Sequence, residues 1–159
     1  MGMTEVYVSG IALDRGREFP VVLIRAGEGE DVLPIWIGAA EATAIYSVLA
    51  GKTYERPMTH DLLRLVIEEL GAGVKGIEIT GIHEDTYFAR IVLSRGEDLF
   101  YLDARPSDAI ALALRAESTI LVDEELFKKY KRKLQIGGKG SDGEGNGLEE
   151  IDPGDLEDS

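Results

Sequence analysis

The chain has 159 residues, of which 44% are apolar and 30% charged, and a formal net charge of −13. That length suits one domain, and no apolar run approaches the ~20 residues a membrane-spanning helix needs. The sequence has no cysteine, which excludes disulfides, thiolate metal sites and cysteine nucleophiles. Asp14 and Arg15 interrupt the early apolar segment, and no basic stretch leads into it, so a cytoplasmic location without membrane attachment is expected. The acids are unevenly placed. Residues 137–159 hold eight of the thirty, against Lys139 as their only base, a net of −7 that leaves −6 for residues 1–136. Affinity for polyanions comes largely from Lys and Arg displacing counterions. A nucleic-acid role here therefore needs a local basic patch.

In chain order, β-branched and aromatic residues over Glu5–Leu13 and Phe19–Ile24 flank the turn Asp14–Arg17 and predict a hairpin. A third strand follows at Val32–Ile37, where Pro34 cannot donate to a ladder and implies an edge or a bulge. Ala39–Ala50 has helical spacing, Gly51 suits a left-handed cap, and the small residues Ala40, Ala44 and Ser47 would allow close packing. A second helix fits Asp61–Leu70, with Thr59 capping its start, Gly71 its end, and an apolar face of Leu62, Leu63, Leu65, Val66, Ile67 and Leu70. The strands Val74–His83, Tyr87–Leu93 and Leu99–Asp103, joined at Glu84–Asp85 and Arg95–Glu97, suggest an antiparallel meander. Pro106 opens a helix to Ala116, Ile120–Val122 forms a short strand, and Glu124–Leu134 a last helix. The fold class is therefore α+β, a single domain over residues 1–136 of mainly antiparallel strands with about four helices. The Gly-rich acidic residues 137–159 have too little apolar surface to offset ordering entropy and are expected to form a tail.

Three segments place ionisable groups where strands meet helices. In the first, Glu41 sits in the opening turn of a helix directly after Leu33–Gly38. It suits the helix dipole there, and Trp36 suits a core or an interface. In the second, His60 and Asp61 enter the next helix; histidine can serve as acid, base or ligand, while both residues could equally be surface caps. Adjacent residues on a helix do not face each other, so this pair would converge on a third point. In the third, Asp103, Arg105, Ser107 and Asp108 span a strand end and a helix start. An arginine beside free helical N–H groups can seat phosphate, and Asp103 with Asp108 could hold a hard cation such as magnesium. The bland reading of that third segment is a capped helix with an Asp103–Arg105 ion pair.

As an ordered set over Val6–Leu134, these segments resemble the bifunctional nuclease family, small proteins credited with cutting both DNA and RNA. The likeness rests on Leu33–Gly38 with Glu41, on Arg56–Asp61 with Leu62 and Leu63, and on Asp103–Ala109. It implies an α+β monomer that pairs into a homodimer, a groove as active site, and Glu41, His60, Asp61, Asp103, Arg105, Ser107 and Asp108 as site residues. The leading expectation is a nuclease for DNA and RNA. In it Asp61, Asp103 and Asp108 place magnesium or manganese, His60 activates water, and Arg105 stabilises the pentavalent phosphate. The alternative is a non-catalytic dimer that binds a ligand or a protein, consistent with the acidic charge and with Trp36 as a stacking or sealing residue.

Overall fold

The computed structural model describes residues 2–14, 16, 18–133 and 148–150. The first hairpin pairs β1 (Met3–Asp14) with β2 (Phe19–Arg25), and β3 (Asp31–Trp36) adds beside β2. The two helices α1 (Ala39–Leu49) and α2 (Thr59–Glu69) lead to the meander β4 (Gly73–His83), β5 (Thr86–Arg95) and β6 (Asp98–Ala104). After α3 (Pro106–Ala116), β7 (Thr119–Asp123) passes into α4 (Glu124–Tyr130). The short β8 (Arg132–Lys133) and β9 (Leu148–Glu150) follow. The strand order is β6-β5-β4-β7-β1-β2-β3-β8, with β9 on β1. Every neighbouring pair is antiparallel except β4 with β7.

Strand alternation sets the core. Val22, Ile24, Leu33, Ile35, Ile77 and Ile79 point to the face that carries the helices, whereas Val21, Leu23 and Val32 form a second small cluster on the other face with Trp36. Burying both faces explains why β2 and β3 read as continuous apolar runs. Helix α3 lies at the centre, with Ala109, Ile110, Ala111, Leu112 and Ala113 fully buried. The alanines let α1 and α2 approach it from either flank. Among the described residues no helix is long and apolar enough to cross a membrane.

Several local expectations hold. Gly51 and Gly71 adopt left-handed φ of 67° and 79° after α1 and α2. Glu84 and Asp85, at φ 51° and 63°, make the mirror-image turn that matches hairpin twist. Pro34 lies on the outer edge of β3, past the two residues that β8 pairs.

Others are corrected. The N-cap of α2 is Met58, with Thr59 already helical, because the Asp61 carboxylate accepts the Met58 backbone N–H at 2.9 Å. The last helix stops at Tyr130, since Lys131 is extended (φ −63°, ψ 148°) and pairs with Asp31 at 3.1 Å, feeding Arg132 and Lys133 onto the β3 edge. Ala40 is exposed, and Ala42 joins Ala44 and Ser47 in the buried face of α1. The apolar face expected of α2 buries only Ile67. The tail expected over 137–159 lies outside the described residues, apart from Leu148–Glu150, which pair with Ala12–Asp14.

The single parallel contact depends on Gly76, which sits at a bulge in β4 opposite Thr119. A Cβ there would stand 2.9 Å from the Thr119 carbonyl oxygen, a backbone atom that cannot swing aside. Gly76→Ala should therefore destabilise the protein by about 1–3 kcal/mol through overpacking. The urea unfolding midpoint measures this, and an unchanged midpoint would contradict the close approach.

Candidate active site

Four site residues from three helices form one chain of contacts. Arg105, the N-cap of α3, donates from Nε to Asp108 Oδ2 at 2.9 Å and from Nη1 to Glu41 Oε1 at 3.0 Å. Asp108 Oδ1 lies 2.9 Å from His60 Nε2. Thus α1 supplies Glu41, α2 supplies His60, and the opening turn of α3 supplies Arg105 and Asp108. The guanidinium projects outward with 63% of its side-chain surface exposed, while His60 stands behind Asp108 at 13%. The two hydrogen bonds that Arg105 donates to Asp108 and Glu41, together with the charges of those carboxylates, hold its pKa above its ordinary value.

Arg105 and Glu41 open onto a cleft of about 400 Å³. Ser107, buried at the second position of α3, shares that wall, and Ile35, Ile37, Ile82, Tyr87 and Tyr130 supply an apolar one. Burial pushes the Tyr87 phenol up to about 12. Trp36 also lines the cleft, but its Nε1 donates to Asp14 Oδ2 at 2.8 Å and Arg132 stacks 5.3 Å from its ring centre. The cleft thus has an apolar side and two arginines, Arg105 and Arg132. Glu41 and Asp85 line the same cleft and balance the two arginines in number.

Gly38 has a specific part in this wall. Its backbone is ordinary extended (φ −77°, ψ 166°), yet a Cβ at that position would fall inside the Glu41 carboxylate. The missing side chain is what lets Glu41 fold back toward the strand end and meet Arg105.

Asp61 belongs to a different arrangement. Its Oδ1 accepts from Arg115 Nε at 2.8 Å, and Arg115 also donates to the Ala111 and Ala44 carbonyls at 2.9 and 3.0 Å. Arg115 is only 5% exposed. Sequence reasoning did not single it out; the available signal was one arginine at the end of an otherwise apolar helix.

The expected three-aspartate cation site is not assembled. Asp103 pairs in register with Arg90 on β5, and alternation puts it on the face away from the helices that carry Asp61 and Asp108. The expected link from Asp103 to Arg105 is likewise absent, since Arg90 turns to Glu78 at 2.7 Å and Arg105 to Glu41 and Asp108. Asp61 and Asp108 are each committed to an arginine. Among the described residues no group of three or more His, Cys, Asp or Glu could hold a metal ion.

The fold and the site together define a small α+β domain with a cleft on whose wall Arg105 is held by two carboxylates. The bifunctional nuclease domain profile matches residues 21–135, and the chain belongs to that family. It is 41% identical over 125 residues to an uncharacterised protein of Mycobacterium tuberculosis, covering 79% of this chain and 74% of that one. It is 27% identical over 119 residues to bifunctional nuclease 1 of Oryza sativa, covering 72% of this chain but 35% of the plant protein. Bifunctional nuclease 1 of Arabidopsis thaliana is 24% identical over 111 residues, covering 67% of this chain and 34% of its own length.

Two predictions follow from the charge contacts. Arg115→Met removes the guanidinium from Asp61 and from two helix carbonyls and should cost on the order of 3 kcal/mol, the low end for breaking a buried pair because Asp61 is one-third exposed and keeps the Met58 N–H. Chemical denaturation against the wild type measures this.

The second concerns acid. Burial pushes Asp61 up, but the Met58 N–H, Arg115 and Arg64 together take it below 3.8. Burial likewise raises Asp108, and Arg105 with His60 outweigh it. Lowered folded-state pKa values contribute stability that is present above about 3.8 and is lost as pH falls through the folded values. Asp61→Asn combined with Asp108→Asn should therefore flatten the fall in urea midpoint between about pH 5 and pH 2. A fall as steep as in the wild type would show that these carboxylates are not the groups titrating.

Proposed function

We propose that this chain hydrolyses phosphodiester bonds of DNA and RNA in the cleft beside Arg105. The observation that carries the reading is a largely exposed guanidinium, fixed by two carboxylates at a helix N-terminus, on the wall of a cleft in a bifunctional nuclease domain. Arg105 and the free N–H groups of the first turn of α3 take the charge of the phosphate and of its five-coordinate transition state. Glu41, the carboxylate on the same wall, accepts the proton of the attacking water. The new bond forms between the water oxygen and phosphorus, the bond to the leaving oxygen breaks, and that oxygen is protonated from solvent. Asp108 and His60 are positioning residues that hold Arg105 in place. Because no three carboxylates converge among the described residues, magnesium or manganese would be held mainly by the phosphate of the substrate.

The test incubates purified protein with labelled single- and double-stranded DNA and RNA, with magnesium, manganese or chelator, beside identically prepared variants. Arg105→Ala and Glu41→Gln should each reduce cleavage by about 100-fold or more, and His60→Ala by less. Gly38→Ala should match Glu41→Gln in activity while keeping the wild-type melting temperature, since only a side-chain end is displaced. Cleavage unaffected by Arg105→Ala would overturn the reading. Oligonucleotide binding that raises the melting temperature without any cleavage would establish the domain as a binding module instead.

A further inference from the structure

A dense cationic segment borders the cleft. Five of the six positions 128–133 are basic, namely Lys128, Lys129, Lys131, Arg132 and Lys133, in a chain with seventeen basic residues in all. All five are exposed. The dipole of α4 accounts for Lys128 and Lys129 in its last turn, but not for the three that follow in extended backbone. The acids of this helix, Glu124 and Glu125, stand at its other end. Among the described residues only Lys131 of the five is ion-paired, with Asp31 at 3.1 Å. The run is anchored, because Arg132 and Lys133 pair with Val32 and Asp31 on β3. Two of its cations reach the cleft. Lys129 Nζ lies 5.5 Å from the centre of the Tyr130 ring and Arg132 lies 5.3 Å from that of Trp36, and Tyr130, Trp36 and Arg132 all line the cleft.

The wall beside this run is aromatic. Tyr87 and Tyr130 meet edge to face, with ring centres 6.5 Å apart and planes at 73°. The cleft they line, of about 400 Å³, has the size of a site for one small-molecule-sized group. We propose that the run and this wall together form a site for single-stranded nucleic acid, in which Lys129 and Arg132 hold phosphates of an unpaired strand and the Tyr87–Tyr130 wall takes one of its bases. The proposal rests on the phosphodiester reading and narrows its substrate to unpaired strands. A cationic track beside aromatic rings is how proteins hold a strand with no partner. A duplex keeps its bases stacked, so it can use the track but not the wall. Arg105 lines the same cleft, so seating a base there brings the adjoining phosphate to it. An anionic bilayer would meet the cations but leave the cleft unused, and the aromatic neighbours Phe127 and Tyr130 are packed on the core rather than free to insert.

The test is fluorescence anisotropy with the full chain and end-labelled oligothymidine, against a duplex of the same length, both with phosphorothioate linkages so that binding is read without turnover. The wild type should prefer the single strand by about 10-fold or more. Tyr130→Leu should remove that preference and leave duplex binding as it was, while Tyr130→Phe, which keeps the ring, should retain it. Lys129→Gln combined with Arg132→Gln, both at exposed positions, should weaken binding of either nucleic acid. The same pair should lower the slope of log affinity against log salt for the single strand by about 1.4, the share of two phosphates. Equal affinity for strand and duplex, or a salt slope unchanged in the double variant, overturns the proposal. So does binding to phosphatidylserine vesicles without binding to the strand. Tight, ring-dependent binding with no cleavage of unmodified oligonucleotide would remove only the nuclease reading.

Discussion

A guanidinium cannot sit unpaired in an apolar interior, and the three main helices meet in the way that satisfies Arg115. Its donors reach Asp61 on α2, the Ala44 carbonyl on α1 and the Ala111 carbonyl on its own helix. That arrangement fixes where α2 begins relative to α3. Because His60 precedes Asp61 in the chain, the same contact delivers the imidazole to Asp108. Asp108 then orients Arg105, and Arg105 gathers Glu41. The cleft wall is thus the visible end of a polar chain whose root is the ion pair of the buried Arg115 with Asp61.

The phosphodiester proposal has to be squared with an acidic protein. The overall charge disfavours approach of a polyanion, so on that proposal the attraction would come from Arg105 and Arg132, both on the cleft. Two carboxylates beside Arg105 reduce its net field but fix its direction. In a small cleft that orientation is worth more than bulk charge.

Much of the architecture was legible from local pattern. β-branched runs, the glycines after α1 and α2, and Pro106 at a helix start each have a short-range cause that survives in the folded protein. The placing of Glu41, Arg105 and Asp108 at strand-to-helix junctions was legible as well, whereas their grouping came from the family resemblance. What was not legible depends on long-range contact. His60 and Asp108 lie 48 positions apart, and nothing local says that they touch. The expected three-aspartate site failed for a reason of strand parity, Asp103 pointing to the opposite face from its neighbour Ala104. The apolar stripe of α2 was read as core because periodicity reports which face is apolar and not what covers it.

Strand β7 lies between β4 and β1, and among the described strands it alone joins the N-terminal strands to the meander. Both halves can form their own hairpins early, yet neither can join the other until residues 119–123 arrive and insert. On a ribosome, most of the chain must leave the exit tunnel before the sheet can close. During that interval the edges of β1 and β4 are bare. The fold therefore combines quick local pairing with one late, non-local closing step, and it is in that window that the nascent protein is most exposed to mispairing.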